Sequence, residues 1–101
     1  MVKYGLYVPL EAKAGKEDDV AAFLTAGLAI VNKERDTVSW FAVRSGPSTF
    51  AIFDVFNTAN GRDAHLAGDL AKLLMGRADE LFASPPDIQM LDILASKLPG
   101  T

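Results

Sequence analysis

Thr37-Val38-Ser39-Trp40-Phe41-Ala42-Val43-Arg44, then Ser45-Gly46-Pro47-Ser48, then Thr49-Phe50-Ala51-Ile52-Phe53-Asp54-Val55-Phe56: this stretch decides the fold. Both flanking runs are rich in β-branched and aromatic side chains, and the Gly-Pro pair between them marks a turn. The middle of the chain therefore reads as a β-hairpin. Successive side chains of a strand point to opposite faces. Trp40, Ala42, Phe53 and Val55 share one face, and Phe41, Val43, Phe50, Ile52 and Phe56 share the other. Neither face is polar, so both sides of this sheet need cover.

Before the hairpin, Tyr4, Leu6, Val8, Leu10 and Ala12 alternate with Lys3, Gly5, Tyr7, Pro9, Glu11 and Lys13, which predicts a first strand over 4–13. Ala14-Gly15 turns the chain, and Glu17, Asp18 and Asp19 put negative charge where a helix beginning near Lys16 leaves its N–H groups unpaired. Val20, Phe23, Leu24, Gly27, Leu28 and Val31 form one apolar stripe of that helix, and Lys33 and Arg35 suit its C-terminus. After the hairpin, Asn57 is the expected N-cap of a second helical region running to Phe82. Leu66, Leu70, Leu73, Leu74, Ala78 and Leu81 recur there at helical spacing, with breaks or bends expected at Gly61, Gly68 and Gly76. Ser84-Pro85-Pro86 then leads into a last strand over 87–95, with Ile88, Met90 and Leu94 on one face and Leu91 and Ile93 on the other. The tail 97–101 is expected to be loose.

The order βαββαβ predicts an α+β, ferredoxin-like fold: one domain over 1–101, with a four-stranded antiparallel sheet and both helices on one face. Two helices leave the second apolar face bare, and a monomer seldom exposes so large a patch. The expectation is a homodimer with the two sheets packed face to face.

Composition narrows the chemistry. A chain of 101 residues, 50% hydrophobic and 23% charged, is a small globular domain. It has no cysteine, so disulfides, thiolate metal sites and a cysteine nucleophile are excluded. A net charge of -3 lacks the positive field that a nucleic-acid backbone requires, so nucleic acid is not an expected partner. The N-terminus reads directly as strand without a signal-peptide pattern, and no apolar run approaches a membrane span, which points to a cytoplasmic protein without a membrane partner. One histidine and scattered carboxylates match no metal-ligand spacing, and Gly46-Pro47-Ser48 is no phosphate cradle because no helix follows it. No nucleophile-elbow pattern surrounds any serine.

Four segments together resemble the dimeric α/β-barrel proteins of the antibiotic biosynthesis monooxygenase superfamily: Leu10 to Glu17, Gly46 to Phe56, Gly61 to Leu66 and Leu91 to Lys97. The resemblance spans essentially the whole chain. It implies a dimer with one small-molecule pocket per subunit between sheet and helices, and, for the polyketide-type members, oxygenation without any cofactor, the deprotonated substrate itself reducing dioxygen. Many members end the strand before the second helix in an acid, a spacer and a tryptophan; the matching residues here are Asp54, Val55 and Phe56, without the indole. Val8 stands near the position of the asparagine of haem-degrading members, so haem chemistry is not carried over, whereas the histidine that often follows in the second helix matches at His65.

His65 is the one side chain whose ordinary pKa suits proton transfer near neutral pH. If Arg44 faces Thr49 across the hairpin, Ser39 lies opposite Asp54, and Asp54 shares the helix-side face with Phe50, Ile52 and Phe56. A buried Asp among aromatics needs a partner, and His65 is the candidate. The pair reads either as an acid–base dyad beneath a bound aromatic ring or as a contact that fixes the strand-to-helix corner. Phe41, Phe50 and Phe56 are expected to line the substrate pocket, with Tyr4 and Asn32 as candidate polar contacts. In the same register Trp40 pairs with Phe53 and, with Val55, belongs to the dimer interface. Two functions fit: a cofactor-independent monooxygenase acting on a small aromatic such as a quinol, anthrone or phenol, or a non-catalytic dimeric barrel that binds a small apolar metabolite.

Overall fold

The computed structural model describes residues 1–100. Strand β1 (Tyr4–Glu11) is followed by α1 (Glu17–Val31), the hairpin β2 (Thr37–Arg44) and β3 (Thr49–Phe56), three short helices α2 (Ala59–Leu66), α3 (Asp69–Gly76) and α4 (Ala78–Leu81), and β4 (Gln89–Asp92). The strands form one antiparallel sheet in the order β2-β3-β1-β4, the ferredoxin-like α+β arrangement.

The core lies between one sheet face and the helices. Leu6, Val8, Leu10 and Ala12 of the first strand and its extension are buried, as are Val20, Phe23, Leu24, Gly27 and Val31 of α1. Leu28 lies at the margin of the α1 stripe and is half exposed. Gly27 has no side chain, which lets the helix settle closely: a Cβ there would stand 3.1 Å from Leu70 Cδ1 and 3.7 Å from Trp40 Cη2. Gly15 turns the chain into α1 with φ of +86°, where L side chains are strained, and its N–H donates to Glu17 Oε1. The helix stops at Val31, so Lys33 and Arg35 lie past its last turn, which contains no basic residue.

The hairpin register differs from the expected one. Arg44 pairs with Phe50, Phe41 with Phe53, and Trp40 with Asp54. The Ser45 N–H donates to the Thr49 carbonyl and the Arg44 guanidinium to the Pro47 carbonyl, and five residues, not the four assumed, separate Arg44 from its cross-strand partner. A shift of one residue in β2 exchanges its faces. Trp40 and Ala42 therefore turn to the helix side, while Phe41 and Val43 turn to the open side, where the Phe41 ring stacks on Phe53 at 6.5 Å.

Three boundaries also move. Thr58, not Asn57, caps α2: its backbone is extended and its hydroxyl accepts from the Gly61 N–H at 2.9 Å. Gly61 does not interrupt α2; it is buried where a Cβ would stand 3.0 Å from Asp36 Cβ, whereas breaks do fall at Gly68 and just after Gly76. The last strand is only Gln89–Asp92, less than half the expected length. Toward its start the ladder would next meet Pro9, which has no N–H to offer; toward its end β1 runs out, and only the Ile93 N–H reaches the Lys3 carbonyl.

The sheet face away from the helices carries Tyr7, Phe41, Val43 and Phe53, with Ala51 and Val55 buried beneath their neighbours. Ile93 folds over Gly5, where a Cβ would meet Ile93 Cδ1 at 2.9 Å. No described helix is long and apolar enough to cross a membrane.

Candidate functional site

Three elements bring one polar side chain each to the helix-side face. Asp54 comes from the centre of β3, flanked by Leu6 of β1 and Trp40 of β2. His65 comes from the last turn of α2, which the Thr58 cap and the close fit of Gly61 against Asp36 hold against the sheet. Glu34 comes from the short connection between α1 and β2.

His65 stands between the two carboxylates. Its Nδ1 donates to Glu34 Oε1 at 2.5 Å, and its Nε2 lies 3.0 Å from Asp54 Oδ2. The Asp54 contact is an ion pair without the alignment of a directed hydrogen bond, and both Asp54 oxygens lack one. Asp54 is 1% exposed and His65 8%. Thr37 Oγ1 donates to Glu34 Oε1 at 2.8 Å, and the Phe56 ring lies 5.5 Å from the imidazole. Burial pushes the His65 pKa down, but its contacts with Asp54 and Glu34 outweigh that, and the net displacement is upward from 6.5. The imidazole is thus held as the cation to higher pH than a free histidine, with an N–H on each ring nitrogen.

Glu34 and His65 open on a cleft of about 330 Å³ whose other walls include Ile30, Lys33, Asp36, Gly61 and Asp69. This wall mixes polar and aliphatic groups and is not aromatic. With both imidazole nitrogens engaged, no lone pair is left for a cation, and no group of side chains suited to a metal ion occurs among the described residues. Chemically the cluster holds two carboxylates and one imidazolium, a net single negative charge able to accept one proton.

The structure separates the other sequence-predicted residues. Phe50 and Phe56 are buried on the helix side, as expected, but as packing: Phe50 belongs to the core, and neither borders the cleft. Phe41 is 51% exposed on the opposite face, because of the register change, and is no pocket residue. For the same reason Trp40 leaves the open face and packs against the core, whereas Phe53 and Val55 lie on the open face. Tyr4 lies under the Arg62 guanidinium at 5.1 Å, away from the cleft. Asn32 caps α1 through its N–H to the Leu28 carbonyl, with its side chain on a second, smaller cleft. Glu34 was not singled out from the sequence: within Asn32-Lys33-Glu34-Arg35-Asp36 it reads as one more solvated charge, and no periodicity marks it.

No family model and no curated protein matches the chain. Solved structures do. A Nitrosomonas europaea protein of unknown function is 48% identical, with a TM-score of 0.97 over 100% of this chain and 98% of that one. A candidate antibiotic biosynthesis monooxygenase from Chloroflexus aurantiacus is 18% identical, with a TM-score of 0.75 over 97% of this chain and 99% of that one. A second such candidate, from Nitrosomonas europaea, is 15% identical, with a TM-score of 0.80 over 91% of this chain and 90% of that one. The chain belongs to one family with the Nitrosomonas protein of unknown function, and its fold is that of the antibiotic biosynthesis monooxygenases.

Proposed function

We propose that the chain is a homodimeric, cofactor-independent monooxygenase acting on a small phenol, quinol or anthrone, with Glu34, His65 and Asp54 as its acid–base group. The observation that carries this reading is the carboxylate–imidazolium–carboxylate row on the wall of a cleft, with Glu34 Oε2 buried and unpaired. It assigns the roles differently from a simple histidine base. His65 stands between the two carboxylates, and the atom without a partner, placed to accept the substrate proton, is Glu34 Oε2.

For an anthrone-type substrate, one ring methylene and one dioxygen give one ketone and one water. A proton passes to Glu34, the resulting carbanion gives one electron to dioxygen, the radical pair closes to a peroxide anion that takes the proton back from Glu34, and the hydroperoxide so formed loses water. The substrate supplies every electron, so the residues need only move protons and exclude water. The bare sheet face supports the homodimer: Tyr7, Phe41 and Val43 are each more than a third exposed on one apolar surface.

The test is oxygen uptake with a panel of hydroquinones and anthrones, comparing the native chain, Glu34→Gln and His65→Ala with buffer. Uptake above buffer for the native chain, slowed in Glu34→Gln, is the expected result. Uptake equal to buffer throughout overturns the enzymatic reading.

A second reading is favoured by one observation, that both imidazole nitrogens are already occupied while Phe23, Phe50 and Phe56 fill the space between sheet and helices. In that case the chain is a dimeric barrel that binds a small molecule without changing it. A ligand that saturates the protein in air and is recovered intact distinguishes it.

A further inference from the structure

The pairing of β2 with β3 is broken once, and the break lies beside the site. From Arg44 back to Ser39 the two strands pair residue for residue, with Trp40 opposite Asp54 and Ser39 opposite Val55. The next pair is Thr37 with Phe56, so Val38 is an extra residue, a β-bulge. In an unbroken ladder Val38 would stand opposite Phe56 on the helix side, and Thr37 would point to the bare face. The bulge reverses this. Val38 is 43% exposed, and Thr37 turns to the helix side, where its hydroxyl donates to Glu34 Oε1 at 2.8 Å.

That hydroxyl decides which oxygen of Glu34 is left over. A carboxylate oxygen has two lone pairs. Oε1 receives two donors, the Thr37 hydroxyl and the His65 Nδ1–H, and is full. Oε2 receives none and lies on the side of Gly68, a wall of the larger cleft, where a Cβ would stand only 3.3 Å from it. Two anchors on Oε1, from β2 and from α2, hold the carboxylate against rotation about its last bond, which would exchange the two oxygens. One anchor alone permits that rotation.

We propose that Thr37 is the positioning residue for Glu34, set there by the bulge at Val38: it closes Oε1 to the substrate proton and keeps Oε2 toward the cleft. This rests on the proposed function for the source of the proton, whereas the holding of Glu34 does not. Thr37 itself touches no reacting atom and moves no proton.

The chain has one histidine, so its two ring N–H protons can be followed separately in a ¹H–¹⁵N spectrum, Nδ1–H facing Glu34 and Nε2–H facing Asp54. Thr37→Val keeps the shape of the side chain and removes the donor. At about pH 6, where the imidazolium predominates, it is expected to speed the exchange of Nδ1–H with water about tenfold, the contribution of one hydrogen bond to a charged group. Nε2–H exchange is expected to stay as it is. Thr37→Ser, which keeps the hydroxyl, is expected to match the native chain, and Thr37→Ala repeats the test without a second methyl beside the carboxylate. In oxygen uptake with hydroquinone, Thr37→Val is expected to lower kcat about tenfold at constant KM, and Thr37→Ser to restore it. Unchanged Nδ1–H exchange in Thr37→Val and Thr37→Ala overturns the inference and leaves Thr37 a fastener of the turn into β2. Equal acceleration at both nitrogens overturns it as well, since that is general loosening. Selective acceleration at Nδ1 without uptake by the native chain supports the positioning and removes the oxygenase; uptake by the native chain with unchanged exchange in the variants does the reverse.

Discussion

Replacing His65 with alanine removes the imidazolium that faces both Asp54 and Glu34. Glu34 keeps the Thr37 hydroxyl as a partner, but Asp54, 1% exposed and without a directed hydrogen bond, is left as a buried charge with nothing opposite it. Breaking a buried ion pair from one side costs roughly 3–5 kcal/mol. An independent limit agrees: Asp54 can escape only by taking a proton, and protonating an aspartate of ordinary acidity at pH 7 costs about 4 kcal/mol. At pH 5 the same escape costs about 1.5 kcal/mol. Urea unfolding followed by circular dichroism should therefore show His65→Ala about 3–4 kcal/mol less stable than the native chain at pH 7, with the deficit shrinking by half or more at pH 5. Near pH 7 that corresponds to a fall in Tm of roughly 12 °C or more for a domain of this size. The double variant Asp54→Leu with His65→Leu, which leaves no buried charge at that contact, should recover most of the loss. A deficit below about 1 kcal/mol at pH 7, or one that does not shrink in acid, would refute the assignment of His65 as the partner of a buried carboxylate.

Other consequences can be measured in the same way. The His65 pKa is raised in the folded chain, so its stabilisation is complete below 6.5 and is lost as the pH rises through the higher folded value; unfolding free energy should fall as the pH rises above 6.5, and Glu34→Gln with Asp54→Asn should flatten that slope. Thr58→Ala removes the α2 cap and should cost about 1 kcal/mol, with Thr58→Ser close to neutral in thermal unfolding. Gly5→Ala drives a Cβ to 2.9 Å from Ile93 Cδ1 and 3.2 Å from the Asp54 carbonyl and should destabilise by about 1–3 kcal/mol, whereas Gly76→Ala meets nothing within 4 Å and should stabilise slightly. Phe41→Glu puts a charge on the bare sheet face, on its edge strand β2; light scattering should find the native chain dimeric at micromolar concentration and the variant monomeric, and a monomeric native chain would end the homodimer proposal.

Element identity was legible because each segment carries its own period. The α1 stripe, the alternation of β1 and the bounds of β2 and β3 all rest on side chains whose burial repeats every 3.6 or 2 residues, and the structure has these elements over the residues that the pattern marks. Short-range polar chemistry was less legible. Asn57 and Thr58 are both capable caps, and only the chain direction entering α2 selects Thr58. Gly61 reads as a breaker, but its role depends on how close Asp36 comes from another part of the chain. The misplacement of Phe41 and Trp40 has a single origin: a loop one residue longer than assumed leaves both strands intact and exchanges the two faces of β2.

The candidate site divides in the same manner. His65, as the one histidine, and Asp54, as the one acid in an apolar strand, stand out from composition and alternation alone. Glu34 does not, because nothing in a run of charged residues says which of them will be turned inward and deprived of water. By itself the sequence determined the order of elements, the apolar character of both sheet faces and the βαββαβ fold, since these follow from local periodicity and the handedness of connections. Only the tertiary structure decided which face of β2 meets the helices, that Glu34 and Asp54 share one imidazole, and that Trp40 ends beside them with its N–H unpaired. The physical reason is that register and ion pairing join residues far apart along the chain, through loop length and the cost of burying charge, and neither leaves a repeat in the sequence.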